Sequence, residues 1–577
     1  MAIIDFGLGP SDDDWSFSSD STSNTLFATQ LSEVLPLIEA AESAAQRGAY
    51  VVLMLSYEAA PVFDPALSTH EATSFPLAWA TVVSPNDKKS PDQEQSYSAT
   101  AWTPQVSRDE YNRAILRIQD LIAAGDTYQV NYSFPLRSVF SGDGFSWYRS
   151  LSLAQGAKYC AYLDIGRYQI LSLSPELFFE RKGNSVRTRP MKGTIRRGRF
   201  LEEDKLLAAT LKNSPKDQAE NVMIVDLLRN DLGKVSIPGS VEVTSLYELE
   251  RFETVWQMTS TVKSTLRDNI SLVELLGALF PCGSITGAPK IRTMEIIREL
   301  EPHPRGIYTG AIGLLRPGGD CIFNVAIRTV VVDSETGMAT FGVGGGITID
   351  STADREYEEC LVKAKFLNTP RQTFDLFESL LLEDAEYFLL ERHLERLRNS
   401  ADFFGFEYSE IDIASRLDQL KRMHNDGSWK VRVVAAKQGA LSTQAAPIEP
   451  GVEKVLKVGL ATKAVDSNDR MLFHKTTQRS FYESQLKQQP ECNDVIFFNE
   501  RGEVTESTIA NVVVELNGRL VTPPVSAGLL AGTFRDQLIA DEQIEERTIT
   551  VDELRAAKKI FLINSVRKWM KTVLYER

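Results

Sequence analysis

The chain has 577 residues, more than one hydrophobic core ordinarily serves, so two large domains or several smaller ones are expected. Hydrophobic residues make up 43% and charged residues 24%, which excludes a disordered chain, while a formal net charge of −15 argues against nucleic acid or an anionic membrane as partner. No basic run precedes an apolar stretch at the start, and nowhere do roughly 18 apolar residues occur together, so a cytoplasmic protein is expected. Cys160, Cys282, Cys321, Cys360 and Cys492 lack zinc-site or disulfide-framework spacing and read as core fillers.

In chain order, residues 11–24 and 84–98 are polar and read as loops, residues 31–45 have helical apolar spacing, and residues 50–55 form a β-branched run suited to a buried strand. A strand over residues 168–173 leads into Ser174-Pro-Glu-Leu-Phe-Phe-Glu180. Pro175 extends Ser174 and leaves Glu176 at a turn, where a desolvated carboxyl can act as a general acid; the plain alternative is a surface glutamate. In Thr188-Arg-Pro-Met-Lys-Gly-Thr194, Lys192 is a candidate nucleophile if it stays unprotonated, with Arg189 and the run Arg196-Arg197-Gly-Arg199 as neighbouring cations; the alternative is a solvated lysine.

Glu220 heads an apolar helical run and offers hard oxygen to Mg²⁺, and Gly283-Ser-Ile-Thr-Gly-Ala-Pro-Lys290, with Thr286, offers hydroxyls and amides to a carboxylate; the plain alternative for this segment is a structural turn. After Gly342-Val-Gly-Gly-Gly-Ile347, Ser351 with Asp354 resembles a capping box. On the helix it opens, Glu356, Glu359 and Lys363 share one face, able to meet Glu220 or, as the plain alternative, only solvated charge, and Tyr357, Cys360, Leu361, Ala364 and Leu367 share the apolar one. The polar connection Asn368-Thr-Pro-Arg-Gln then marks a boundary, giving domains 1–368 and 369–577.

Taken together, the motifs of residues 111–367 resemble the chorismate-binding family that includes anthranilate synthase, isochorismate synthase and the synthase component of aminodeoxychorismate synthesis. The resemblance implies an α+β fold of two facing β-sheets under outer helices. It further implies Mg²⁺ on Glu220 and Glu359 with Glu356 close by, and chorismate bound through Gln129, Thr286, Tyr308, Arg328, Gly345 and Lys363. Lysine at position 192 matches the aminodeoxychorismate synthases, where anthranilate synthases carry alanine. Gln129 stands where isochorismate enzymes carry a lysine base, so amination rather than hydration is implied.

Downstream, Phe374-Asp-Leu-Phe-Glu-Ser-Leu, Glu391-Arg-His-Leu-Glu-Arg-Leu397, Phe473-His-Lys-Thr-Thr-Gln-Arg479, Val504-Thr-Glu-Ser-Thr-Ile-Ala-Asn511 and Gly528-Leu-Leu-Ala-Gly-Thr-Phe-Arg535 occur in order. Lys475 has the character of a Schiff-base lysine, Arg396 of a phosphate clamp, Gly532-Thr533 of amide donors at a helix start and Glu506 of a partner for a pyridinium nitrogen; His393 reads as packing. This set resembles the class IV aminotransferases, most closely their relative 4-amino-4-deoxychorismate lyase. The resemblance implies an α/β fold-type IV domain with pyridoxal 5'-phosphate on Lys475, contacts from Arg396, Glu506, Thr508, Gly532 and Thr533, and possible assembly through this domain. The family's usual first strand is missing, and Phe-Glu-Ser replaces Phe-Glu-Thr.

The expected function is Mg²⁺-dependent amination of chorismate followed by pyridoxal-phosphate-dependent loss of pyruvate, giving 4-aminobenzoate for folate. No cysteine occupies a nucleophile elbow, so ammonia is expected from a separate glutamine amidotransferase subunit. Two alternatives stand beside it: an anthranilate-type synthase joined to an amino-acid transaminase, and an inactive chorismate- or cofactor-binding regulator.

Overall fold

Runs of β-branched and aromatic residues dominate the first part of the chain and assemble into two sheets, not one. A computed structural model describes residues 1–7, 15–19, 22–83, 95–368, 373–449 and 455–575. The chain divides into two compact units, Met1–Arg196 with Ala208–Arg371, and Arg197–Leu207 with Gln372–Arg577.

Among the described residues of the first unit each sheet has ten strands. One runs from Phe17–Ser19 through Ala2–Phe6, Tyr159–Asp164, Tyr168–Ser174, Thr329–Asp333, Met338–Ile347 and Gln129–Gly142 to Gly287–Ala288. The other runs from Thr22–Ala28 through Ala78–Val83, Tyr50–Leu55, Ala311–Leu315, Cys321–Val325, Leu177–Lys182, Ser185–Arg189 and Val255–Thr265 to Met191–Arg196. Ile4 and Phe6 of the first and Val52, Met54 and Ile312 of the second share one core, so the sheets pack face to face. Helices Arg108–Ala123 and Gly144–Gln155 cover the outer face of the first sheet, and Leu31–Gln46, Pro215–Gly233 and Leu272–Leu279 that of the second. The two-sheet α+β architecture is therefore present.

Residues 11–24 are not simply a loop. Trp15 is fully buried and donates its indole N–H to Glu180 at 3.0 Å, and strands Phe17–Ser19 and Thr22–Ala28 follow. The rest of that stretch, residues 84–94 of the second expected loop, and the connection at 369–372 lie outside the described residues. No disulfide joins the five cysteines, and four of them are buried. Among the described residues no helix is long and apolar enough to cross a membrane.

The second unit joins a four-stranded antiparallel sheet, covered by helices Leu390–Phe404 and Glu410–Met423, to an eight-stranded one. Within the larger sheet the extra pairing of Val504–Ser507 with Asn511–Leu516 closes six strands into a ring around Val458, Ile496, Val512 and Leu562.

A buried ion pair ties the first cavity's walls together. Glu301, which caps the end of helix Lys290–Leu300, accepts from Ser133 N (2.7 Å) and from Arg305 Nη2 (2.6 Å) and Nε (2.9 Å). Arg305 also donates to the carbonyls of Asn131 and Ile285 and lies over the Tyr57 ring. Removing one partner strands the other charge in the interior. Glu301→Ala should therefore cost the first unit about 3–5 kcal/mol. The check is a lowered urea midpoint for protection of Gln129–Gly142 by hydrogen exchange, and an unchanged midpoint would contradict it.

Candidate functional site

The first unit holds a cavity of about 480 Å³. Glu176 lies in the two-residue passage between Tyr168–Ser174 and Leu177–Lys182, where the chain crosses from one sheet to the other. Its carboxyl accepts from Ser284 Oγ at 2.6 Å, and burial pushes its pKa up to about 7 against the opposing pulls of Ser284 and Lys192. Lys192 projects from the edge strand Met191–Arg196 into the same cavity. Burial lowers the pKa of its amine, opposed chiefly by Glu220 and Glu176.

The expected basic run is not the main cause of the lowered pKa of the Lys192 amine. Arg189 is paired with Glu248 (2.8 Å) and Glu250 (3.0 Å), and Arg197 and Arg199 belong to the second unit. Desolvation does that work instead.

The glycine run forms part of strand Met338–Ile347, paired with Gln129–Gly142 in the register Gly346↔Asn131 and Gly342↔Pro135. A Cβ at Gly342 would come within 2.3 Å of the Tyr308 ring, and one at Gly346 within 1.8 Å of Gln129 Nε2 and 3.1 Å of Lys192 Nζ. Glycine is required here because side chains of the site lie directly on the backbone. Gly345 lines the cavity beside Glu356, and Lys363 donates to the carbonyl of Gly344 at 2.9 Å.

Two polar groups in this cavity stand without an evident protein partner among the described residues. Both polar side-chain atoms of Gln129 are buried without a hydrogen-bond partner. Arg328, held at φ 52°, faces the cavity with its pKa pulled down to about 10 by desolvation, and no acidic partner is found for it among the described residues. Tyr308 and Lys363 complete this polar wall. Thr286 departs from expectation: it is fully buried, its hydroxyl is directed at the carbonyls of Cys282 and Gly283, and Ser284 and Ile285 line the cavity instead.

Glu220, Glu356 and Glu359 all line the cavity. Glu220 sits in the second turn of helix Pro215–Gly233, not at its head, and burial raises its pKa, with Glu356 among the lesser contributors. The later helix is Ala353–Ala364, and Ser351 Oγ donates to Glu356 at 2.8 Å in place of the expected box with Asp354. Glu359 is paired with Lys363 at 2.9 Å. Among the described residues no three acids are gathered as a ready-made cation cage. The donors fit Mg²⁺ in its usual manner, with one or two carboxylates and the remaining oxygens from substrate and water.

The second unit's cavity is lined by Arg396, Lys475, Glu506, Thr508, Gly532 and Thr533 together, although they lie far apart in sequence. Burial brings the Lys475 amine down to about 8, helped by Arg396, and its Nζ stands 5.0 Å from the Phe377 ring centroid. Burial raises Glu506 to about 7; it accepts from Tyr482 Oη at 2.9 Å. Gly532 caps helix Thr533–Ala540. Arg396 is held by Glu378 through two bonds of 2.8 Å and donates to the Ala531 carbonyl, which leaves two of its five N–H groups for an anion. Thr508 lines the cavity, but its hydroxyl and amide both donate to Asp494. An amine beside an anion clamp and a buried carboxyl suits pyridoxal 5'-phosphate.

The partners that position these groups lie far from them in sequence. Glu378 anchors both Arg396 and His393, and His393 joins it (2.7 Å) to Thr533 Oγ1 (3.2 Å). His393 is thus more than packing. Tyr482 and Asp494 also belong to this site, while in the first unit Ser284 bonds Glu176 and the Asn221 amide donates to the Lys192 carbonyl. Glu378 belongs to the Phe-Glu-Ser motif, and His393 and Arg396 stand one helical turn apart on Leu390–Phe404.

Comparison with known proteins agrees with both halves. Residues 10–369 match the chorismate binding enzyme family, and residues 375–573 match amino-transferase class IV. The chain is 39% identical to aminodeoxychorismate synthase component 1 of Salmonella typhimurium, over 53% of this chain and 65% of that protein. With the component 1 protein of Bacillus subtilis the identity is 42%, over 46% and 56%. The crystal structure of anthranilate synthase component I from Streptococcus pneumoniae superposes with a TM-score of 0.50 at 27% identity, covering 64% of this chain and 90% of that one. The chain thus spans less than two thirds of the length of these curated relatives. Matched over more than half of its residues, it belongs to the chorismate-binding enzyme family and carries a class IV amino-transferase domain behind that module.

Proposed function

We propose that the chain makes 4-aminobenzoate in two steps, amination of chorismate in the first cavity and loss of pyruvate in the second. One observation carries the first step: burial drives Lys192 and Glu176 in a single cavity toward their uncharged forms, leaving an amine able to attack and a carboxyl able to donate. Lys192 Nζ adds at C2 of chorismate, the ring double bonds shift, and the C4 hydroxyl departs as water with the Glu176 proton. Ammonia then bonds to C4, the lysine leaves, and the ammonium proton returns to Glu176.

Arg328, Tyr308 and Lys363 receive the enolpyruvyl carboxylate, and Gln129 fills its empty hydrogen-bonding capacity on the substrate. Mg²⁺ on Glu220 and Glu359, with Glu356 beside them, supplies positive charge for the ring carboxylate. Ammonia comes from a glutamine amidotransferase partner.

In the second cavity pyridoxal 5'-phosphate supplies an electron sink. Lys475 anchors it and moves the C4 proton of the amino compound; Arg396, Gly532 and Thr533 hold its phosphate, and Glu506 holds the proton of its ring nitrogen. Loss of pyruvate leaves an aromatic amine, and no keto-acid acceptor is needed.

Lys192→Ala should abolish amination while still converting supplied aminodeoxychorismate, and without ammonia the parent should gain the mass of dehydrated chorismate at Lys192. Because Glu176 acts protonated, amination should decline as pH rises through about 7. Glu176→Gln should remove that limb and cost roughly 10²–10⁴ in rate. An unlabelled parent together with an active Lys192→Ala would exclude covalent catalysis.

Chelation should stop amination and spare pyruvate release. Glu220→Gln and Glu359→Gln should each demand more Mg²⁺ for half-maximal rate; the same titration curve in both mutants as in the parent would move the metal elsewhere.

Lys475→Ala should lose the near-visible absorption of bound cofactor and accumulate aminodeoxychorismate from chorismate and ammonium. In the parent, pyruvate and 4-aminobenzoate should form one for one. Dependence on an added keto acid would instead identify a transaminase.

A further inference from the structure

The segment that directly follows the Lys192 strand does not stay with the first unit. Arg197–Leu207 is part of the second unit. Asp204, 2% exposed, accepts from Arg197 Nε and from Gly198 N, each at 2.7 Å. Arg197 also donates to the Phe403 carbonyl at 2.9 Å and lies 4.7 Å over that ring. Phe200 packs on Phe473 at 5.6 Å between centroids, and Arg199 lies over the same ring. At Gly198 a Cβ would meet the backbone of Asp204 at 2.2 Å, so the segment closes on itself with no room for a side chain.

The contact that matters most is with His474, the residue before Lys475. Its ring is packed against Phe403 and Phe404, with centroids 4.5 and 4.6 Å away. Nε2 is bonded to the Arg199 carbonyl at 3.1 Å and Nδ1 to Ser400 Oγ at 2.9 Å. A carbonyl only accepts, so the proton sits on Nε2 and Nδ1 accepts from the serine. Burial lowers the imidazole's pKa to about 3, which keeps it neutral and fixes this tautomer at any ordinary pH. On the other side of the same short loop, Lys475 O accepts from Phe377 N at 3.0 Å, and Thr477 N donates to Asp375 O at 2.9 Å. The loop is thus clamped from the four-stranded sheet on one side and through His474 by Arg197–Leu207 on the other.

We propose that Arg197–Leu207 is a brace for the Lys475 loop, with Asp204 setting the brace and His474 transmitting it as positioning residues for the cofactor-binding lysine. The proposal rests on the reading of Lys475 given above. In consequence the second activity depends on residues encoded within the stretch that matches the first family.

The test uses the full chain with Asp204→Ala, His474→Phe and, as the conservative partner, His474→Gln, which keeps an N–H to offer the Arg199 carbonyl. Hydrogen exchange without added cofactor should show residues 471–479 opening about tenfold more readily in Asp204→Ala and His474→Phe, with His474→Gln close to the parent. With pyridoxal 5'-phosphate, dissociation constants from fluorescence quenching should rise about tenfold in the same two variants. The pH midpoint of the cofactor's near-visible absorbance should move, while the rate of chorismate amination holds. Unaltered exchange in residues 471–479 in both variants overturns the brace. Failure of the parent chain to bind pyridoxal phosphate would instead overturn the reading of Lys475, and the exchange data would still decide on the brace.

Discussion

Removing an amine and a carboxyl group from water without letting them pair is the constraint on which the first cavity depends. An exposed lysine is protonated and an exposed glutamate ionised at neutral pH, and neither form suits attack or proton donation. Burial disfavours both charges at once, and the fold keeps Lys192 on one sheet edge and Glu176 at a crossover between sheets, so desolvation is not undone by a salt bridge. The remaining features serve that separation: the glycine strand on which Tyr308, Gln129 and Lys192 lie, and the Glu301–Arg305 pair that binds strand, helix end and turn into one frame.

The second cavity applies the same physics to a different end. Lys475 is also deprived of water, but here Arg396 adds like charge, while Glu378 neutralises Arg396 from behind and leaves part of its guanidinium to face the cavity. Glu378 itself is held well below the usual carboxylate range, because Arg396 and His393 outweigh a burial that would raise it. A single buried carboxylate therefore orients the anion clamp directly and Thr533 through one imidazole.

What could be read from the sequence was whatever is local. Lys192 between Pro-Met and Gly, Lys475 in His-Lys-Thr-Thr, and the stripe of Glu356, Glu359 and Lys363 each declare themselves within a few residues, and the structure brings them into the cavities expected of them. Non-local partnerships stayed hidden. Nothing near Ser284 points to Glu176, more than a hundred residues earlier, and nothing near Arg199 points to His474. Thr286 and Ser351 misled for the opposite reason: each sits in a plausible motif, yet a hydroxyl is small enough for nearby carbonyls or carboxylates to claim it.

The passage of Arg197–Leu207 into the second unit also orders events during synthesis. Arg197–Leu207 leaves the ribosome before any of Gln372–Arg577 exists, and at ordinary elongation rates the intervening stretch takes roughly ten to thirty seconds to make. Throughout that interval Phe200 has no Phe473 to pack against. The nascent chain therefore carries a sticky, unclaimed peptide that must be kept from misassociation until the carboxyl-terminal portion emerges. Splitting the gene at the connection near residue 370 would make that wait permanent on one product and leave the other with an unfilled seat.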